Sequence, residues 1–227
     1  MKVAIVISGS IRKPELSLAT LKLFADDDVS VFIHTWRDSH WLQLDSFSRQ
    51  ANVEPTSELI EQYRPAKAEC DKWLYHRKFF IEDLERWKEA RADLPRDLNN
   101  IGFHGMYWSL LRASAIPVAN ADRYDLLVRL RFDCQMSRKP SRSNPGWVIP
   151  EGNDFFGLND QLGWFWTYPE DGMRSICEAQ AYFGCYSSLE SSILAGVPHG
   201  PESLLKANFD RLNVPVRREL FDYSLGR

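Results

Sequence analysis

The sequence predicts a single α/β domain with a mostly parallel central sheet, and three observations support this. An apolar, β-branched segment begins almost at the first residue, and a helical pattern and a second apolar segment follow it. The order strand, helix, strand is typical of parallel pairs with right-handed crossovers. The length of 227 residues fits one large domain better than two small ones. We therefore expect an α/β/α sandwich that spans residues 1–227.

The first predicted strand, Val3–Ile7, ends in a loop of small residues. Ser8, Gly9 and Ser10 allow the backbone to approach a ligand closely. Arg12 follows and can reach a phosphate group. The loop matches neither the dinucleotide-binding glycine pattern nor the P-loop pattern, so no motif indicates NAD or P-loop chemistry. The structural alternative is a tight turn with a surface arginine.

A helical pattern over Leu16–Phe24 leads to a second predicted strand, Val29–His34. Because two strands joined through a helix pair in parallel, the first loop and the end of the second strand should lie side by side. His34 is therefore a candidate ligand contact. The alternative is a histidine that is simply hydrogen-bonded at the end of its strand.

Residues 42–98 are polar, charged and rich in helix formers, and Trp73–Trp87 shows amphipathic spacing. We expect this part of the chain to form a helical excursion from the sheet. A helical pattern over Phe103–Ala119 then leads into the next strand. Its apolar residues recur at core spacing, which predicts a scaffolding role.

The strand pattern that begins at Leu126 is the most informative part of the sequence. Apolar residues up to Phe132 predict a strand that is buried on both faces. Arg129, Arg131 and Asp133 alternate with them and should share one face near the carboxyl end. Ligands of open α/β sheets bind beyond the carboxyl ends of the strands. The row therefore fits a phosphorylated ligand, with or without a divalent ion, or else a structural arginine–aspartate pair.

The proline-rich segment Lys139–Pro150 is predicted to be a loop. The triplet Asn159-Asp160-Gln161 follows between apolar segments. Its side chains can bind hydroxyl groups, and Asp160 can act as a general base toward a sugar. An Asx turn or a helix cap is the structural alternative.

Helical patterns begin after Asp171 and at Pro201, and Val214–Arg218 is the last predicted strand. Glu202 lies in the first turn of the second of these helices. A negative side chain stabilises the positive end of a helix there, which is a sufficient structural role. Glu202 is nevertheless a second candidate for a catalytic carboxylate.

Composition excludes several classes of protein. The formal net charge of −3 gives no global basic surface, so nucleic acid is not an expected partner. No apolar run approaches the roughly 20 residues that span a bilayer, and the start of the chain is too β-like for a signal peptide. The four cysteines lack zinc-site spacing and are typical of reduced thiols in a cytoplasmic protein.

The motifs KVAIVISGSIR, VSVFIHTW, YDLLVRLRFDC, NDFFGLNDQLGWF and PESLL occur in this order along the chain. Their order and spacing resemble a bacterial and viral group of GT-A-type glycosyltransferases. Within this group the chain resembles WavE-like lipopolysaccharide-biosynthesis proteins and small glycosyltransferase domains of large algal viruses. The resemblance covers nearly all of the chain outside residues 42–98. It implies a Rossmann-like α/β/α fold and sugar transfer from a nucleotide-sugar donor to a hydroxyl of a glycan acceptor.

The resemblance also assigns roles to residues. It gives donor binding to the loop Ser8–Arg12, and it places Arg131-Phe132-Asp133 at the Asp-x-Asp motif that holds the metal and the diphosphate. Because Arg131 replaces the first aspartate of that motif, metal dependence is uncertain. Asp133 can hold Mn²⁺ or Mg²⁺, or Arg131 can neutralise the diphosphate itself. Asp160 matches an Asn-Asp element and is the leading candidate for the base.

The expected chemistry is substitution at the anomeric carbon, with an inverting course favoured because a carboxylate is present to take the proton of the acceptor. Without such a base a retaining course would be favoured. The resemblance further implies surface-polysaccharide or lipopolysaccharide synthesis, a glycan or lipid-linked glycan acceptor, and a cytoplasmic protein at the inner membrane face. A non-catalytic nucleotide- or glycan-binding domain is the main alternative. A nucleotidyltransferase would normally show a basic glycine-rich loop or more carboxylates near the first strand.

Overall fold

A computed structural model describes residues 1–9, 13–37, 76–83, 101–152, 157–197 and 200–226 of the chain. Strands and helices are numbered along these residues. The strands are β1 Lys2–Ser8, β2 Asp28–Arg37, β3 His76–Asp83, β4 Leu126–Leu130, β5 Cys134–Met136, β6 Gly146–Pro150, β7 Leu162–Trp166, β8 Val216–Glu219 and β9 Tyr223–Leu225. The helices are α1 Pro14–Lys22, α2 Ile101–Ala119, α3 Gly172–Phe183, α4 Leu189–Leu194 and α5 Pro201–Leu212.

The described strands form a mostly parallel sheet of seven strands in the order β3-β2-β1-β4-β7-β6-β8. The pairs β3–β2, β2–β1, β1–β4 and β6–β8 are parallel. Strand β7 runs antiparallel to both β4 and β6. The α/β class and the mostly parallel sheet are therefore confirmed, and the order is compatible with a Rossmann-like arrangement. Strands β5 and β9 form a separate antiparallel pair.

Helices cover both faces of the sheet. Successive residues of a strand point to opposite faces, so the apolar run of β1 contributes to two cores. Ala4 and Val6 belong to the core beneath α2, α3 and α5. Val3, Ile5 and Ile7 belong to the core beneath α1. All five side chains are buried, which explains why β1 is continuously apolar.

Two segments differ from the sequence predictions. His76–Asp83, inside the predicted helical excursion, is a strand that pairs with β2. Its Phe79-Phe80-Ile81 run favours extended backbone, and pairing with β2 overrides the helical spacing. Gly146–Pro150, at the end of the predicted loop, is the fully buried strand β6. The rest of residues 42–98 lies outside the described residues.

The other predicted strands and helices agree with the structure at their centres, whereas β5, β7 and α4 were not predicted. Helix α3 begins after Asp171, whose carboxylate caps it by accepting from Arg174 N–H at 2.9 Å. Strand β8 occurs where the last strand was predicted, although the short β9 was not foreseen. Cys134, Cys177 and Cys185 are free thiols. The described helices include none with the length and apolar character that a membrane span requires.

Candidate functional site

The candidate site lies at the edge of the sheet where β1, β2 and β4 end. From β1 the chain passes through α1 to β2, which lies on one side of β1. Strand β4 lies on the other side, so the strand order reverses between β1 and β4. Ligands of open α/β sheets bind at such a reversal. Ile7 pairs with Leu130, so the loops after β1 and β4 leave the sheet side by side. Because β7 is antiparallel, the segment before it meets this same edge.

The first loop is fixed by a hydrogen-bond network centred on Ser109 of α2. The Ser109 hydroxyl accepts from Gly9 N–H at 2.9 Å, shares a hydrogen bond of 2.8 Å with His34 Nδ1 and donates to the His34 carbonyl at 3.2 Å. The Thr35 hydroxyl donates to the Gly9 carbonyl at 2.8 Å. His34, Thr35 and Ser109 are all fully buried. For Ser8 and Gly9, the described part of the first loop, the prediction that the loop lies beside His34 is therefore confirmed.

This network occupies the N–H group of Gly9. Its N–H group was expected to approach a ligand, but it donates inside the protein, to Ser109 Oγ and to the His34 carbonyl at 3.3 Å. Gly9 has φ of +111°, a conformation that glycine adopts without strain. Ser8 Oγ is buried and has no hydrogen-bond partner among the described residues, so it is the polar group of this loop with unused capacity. Ser10 and Arg12 lie outside the described residues.

Arg129 is the least satisfied charged group at this edge. It is 0% exposed, and Nη1 donates to the carbonyl of Leu130. Nε and Nη2 have no hydrogen-bond partner among the described residues. Burial lowers the pKa of this guanidinium. Because the surrounding dielectric is low, a buried cation that is not directly neutralised interacts strongly with neighbouring charged groups.

Arg131 and Asp133 form the pair that the structural alternative anticipated. Arg131 Nε and Nη2 donate to the two Asp133 oxygens at 2.9 and 2.7 Å. Strand β4 ends at Leu130, so Arg131 and Asp133 lie in the turn beyond it. The prediction that they share one strand face with Arg129 was wrong. Arg131 keeps 26% of its side chain exposed. Of the described arginines Arg129 and Arg131, it is therefore the one that reaches solvent.

The described residues do not present a ready metal centre at Asp133. Both of its oxygens accept from Arg131, and no group of three His, Cys, Asp or Glu side chains suited to a metal occurs in the described ranges. Mn²⁺ and Mg²⁺ prefer several oxygen ligands at once. The donor set therefore does not fit such an ion while the arginine pair is closed, and metal binding stays a prediction from the sequence.

Asp160 is held in a turn whose flanking residues are both anchored. Asn159 Oδ1 accepts from Gln161 N–H at 2.9 Å, which is the Asx turn anticipated as an alternative. The Asn159 carbonyl accepts from the Tyr182 hydroxyl at 3.2 Å. The Gln161 carbonyl accepts from Arg131 N–H at 3.2 Å and thereby joins this turn to the end of β4. The turn leaves the Asp160 carboxylate beside the arginines.

The electrostatics of Asp160 suit a proton acceptor. Asp160 is 3% exposed, and this burial raises the pKa of its carboxylate. The positive charges of Arg131 and Arg129 oppose that rise. Burial also raises the pKa of Tyr182 well above its ordinary value, so this hydroxyl stays protonated and can donate. A carboxylate whose pKa is raised is a stronger base than one in water.

Glu202 lies in the first turn of α5, as predicted, and is 8% exposed. Its carbonyl accepts from Leu158 N–H at 3.0 Å, and a side chain at Gly157 would overlap its backbone. The start of α5 thus forms the support on which the 157–161 segment rests. These contacts are made by the backbone of Glu202. Its carboxylate lies in the first turn of α5, where the expected role was stabilisation of the positive helix end.

Sequence reasoning missed Ser109 and Tyr223, which hold the two loops in place. Ser109 is 100 positions from Gly9, and Tyr223 is 64 positions from Asn159. A serine within a helical pattern and a tyrosine near the C-terminus carry no local signal of such contacts.

Searches with models of known protein families, and searches of curated proteins, returned no match to this chain.

Proposed function

We propose that the protein is a GT-A-type glycosyltransferase that transfers a sugar from a nucleotide-sugar donor to a hydroxyl of a glycan acceptor. One observation carries the proposal: Arg129, Arg131, Asp133 and Asp160 converge at the reversal of strand order, beside the loop after β1. This edge combines cations for a diphosphate with a buried carboxylate for a proton. The resemblance of the sequence motifs supports the same assignment.

The chemistry requires two groups with different tasks. The acceptor oxygen attacks the anomeric carbon, the bond from that carbon to the diphosphate oxygen breaks, and the diphosphate leaves with the electron pair. Arg131, the exposed cation, is suited to stabilise the leaving diphosphate. Asp160 is suited to take the proton of the acceptor hydroxyl, which gives an inverting course. No step is assigned to a metal ion.

The proposed setting is the synthesis of surface polysaccharide or lipopolysaccharide, with a glycan or lipid-linked glycan as the acceptor. The enzyme would work in the cytoplasm, at the inner face of the membrane. The support for this is the resemblance alone.

The direct test is incubation with UDP-, GDP- and dTDP-sugars, with and without Mn²⁺, while release of nucleoside diphosphate is measured. Asp160→Asn should abolish most turnover but leave binding of the nucleoside diphosphate nearly intact. Asp125→Asn is the matched control, because Asp125 lies at the opposite end of β4 and accepts from Lys2 N–H at 2.7 Å. Turnover that survives in Asp160→Asn would remove Asp160 from the role of base.

The alternative from another class is a non-catalytic nucleotide- or glycan-binding domain. One observation favours it. Asp133 is already paired with Arg131 and Asp160 is almost fully buried, so both carboxylates can be explained by a structural role. Binding of a nucleoside diphosphate without turnover of any donor, unchanged by Asp133→Ala, would support this alternative.

A further inference from the structure

The short C-terminal strand β9 contacts both halves of the candidate site. Leu225 pairs with Cys134, and Gly226 N–H donates to the Asp133 carbonyl at 2.8 Å. The Tyr223 hydroxyl lies 2.6 Å from Asn159 Nδ2. One strand therefore joins the segment that carries Asp133 to the turn that carries Asp160.

The Tyr223 hydroxyl is placed to hold that turn from both sides of Asp160. It accepts from Asn159 Nδ2 and can donate to Gln161 Oε1 at 3.5 Å. Asn159 is 0% exposed, so water does not replace a lost partner. The other acceptor that the described residues offer to Nδ2 is the Gly152 carbonyl, at the longer distance of 3.3 Å. Loss of the Tyr223 oxygen would leave a buried amide poorly satisfied.

We infer that Tyr223 is a positioning residue, whose hydroxyl fixes the Asn159–Gln161 turn so that Asp160 faces the acceptor. The inference rests on the proposed function, in which Asp160 receives the acceptor's proton. Tyr223 contacts the residues on either side of Asp160 and acts through them. Its removal should therefore disturb the proton-accepting step more than the binding of the donor.

The test is Tyr223→Phe, which removes one oxygen and keeps the ring that packs against the core. Misplacement of a catalytic group by about 1 Å can cost about a hundredfold in rate, so we expect kcat to fall by roughly ten- to a hundredfold. The KM for the donor and the affinity for nucleoside diphosphate should stay close to those of the wild type. The limb of the pH profile that reports Asp160 should shift.

Tyr168→Phe is the matched control, because it also loses a hydrogen bond, of 2.7 Å to Glu178, but at the opposite edge of the sheet. Its kcat should equal that of the wild type. Should Tyr223→Phe not fold, Tyr182→Phe removes the other hydroxyl that anchors Asn159 and should give the same loss of kcat.

A wild-type kcat in Tyr223→Phe, or an equal loss in Tyr168→Phe, would overturn the inference. A wild-type protein that turns over no donor sugar would overturn the proposed function, and the inference with it. If the wild type is active and Tyr223→Phe has the same kcat, the inference about Tyr223 is overturned but the proposed function is not.

Discussion

Replacing Arg129 by methionine tests whether a buried charge is retained for function at the expense of stability. The guanidinium is fully buried, and two of its nitrogens have no hydrogen-bond partner among the described residues. Methionine keeps much of the side-chain length and apolar volume but carries no charge. We expect a protein that folds at least as stably as the wild type and binds nucleoside diphosphate less tightly.

The expected size of the stability change follows from the hydrogen bonds of Arg129. Each buried polar group without a partner costs about 1–3 kcal/mol, so removal of two such nitrogens recovers about 2–6 kcal/mol. The variant loses a charged hydrogen bond to the Leu130 carbonyl, worth about 1.5–3 kcal/mol, and the attraction to Asp160. The midpoints of these ranges leave a gain of about 2 kcal/mol in unfolding free energy, and the lost attraction to Asp160 reduces that gain.

Urea unfolding of the wild type and of Arg129→Met measures that free energy, and calorimetry measures the binding of nucleoside diphosphate. Asp160→Asn and the double variant complete a cycle that isolates the coupling of the two charges. Lys206→Met is the control, because Lys206 pairs with Asp210 on the surface of α5 and should affect stability little. A loss of several kcal/mol in Arg129→Met with unchanged binding and turnover would make Arg129 a structural residue and refute this reasoning.

Three further predictions concern single residues of the site. Burial raises the pKa of Asp160 in the folded protein above its ordinary value of 3.8. The folded protein therefore holds this proton more tightly than the unfolded chain does, and its unfolding free energy falls as the pH rises from the unfolded-state pKa through the folded-state pKa. Asp160→Asn, which does not ionise, should therefore be more stable than the wild type at pH 7 in urea unfolding, and that advantage should vanish below about pH 4. Gly157→Ala places a side chain against the backbone of Glu202; it should lower the unfolding free energy by about 1–3 kcal/mol or more and reduce turnover. Ser109→Ala removes the hydroxyl that accepts from Gly9 N–H; it should raise the KM for the donor more than it lowers kcat.

Each of these has a control nearby. Asp125→Asn should show no comparable gain in stability at pH 7. Gly200→Ala adds a side chain that meets only ordinary contacts at 3.8 Å, so it should cost less than Gly157→Ala. Ser114→Ala removes a buried hydroxyl of the same helix that donates only to the Leu111 carbonyl, and it should leave the KM unchanged. Equal effects in a variant and its control would contradict the corresponding prediction.

The sequence predicts the elements whose apolar pattern is continuous or regularly spaced. Strands β1 and β4 are buried on both faces, so nearly every residue is apolar and the pattern is unambiguous. Strand β3 carries the Phe79-Phe80-Ile81 run within a helix-like stretch, and its pairing with β2 decided its structure. Strand β6 follows a proline-rich segment, and prolines bias local interpretation toward a loop. Both errors arise because pairing between distant segments overrides local preference.

Placement of the site follows from the same logic, but its hydrogen bonds do not. The rule that parallel strands end at one edge brings Ser8, His34 and Asp133 together from the sequence alone. It does not reveal that Ser109 takes up the Gly9 N–H, or that Tyr223 holds the turn before β7. Such contacts depend on side-chain geometry between segments that are far apart along the chain. They are the part of the site that the structure adds.

The geometry of Asp133 constrains how a donor could bind. A divalent cation and Arg131 compete for the same two carboxylate oxygens, because both oxygens already accept from the guanidinium. A diphosphate offers Arg131 a more negative partner in the same bidentate geometry. Movement of Arg131 to the diphosphate would release Asp133, whereas a cation arriving alone would have to displace a paired guanidinium. Under the proposed function, opening of the Arg131–Asp133 ion pair would therefore be a part of donor binding.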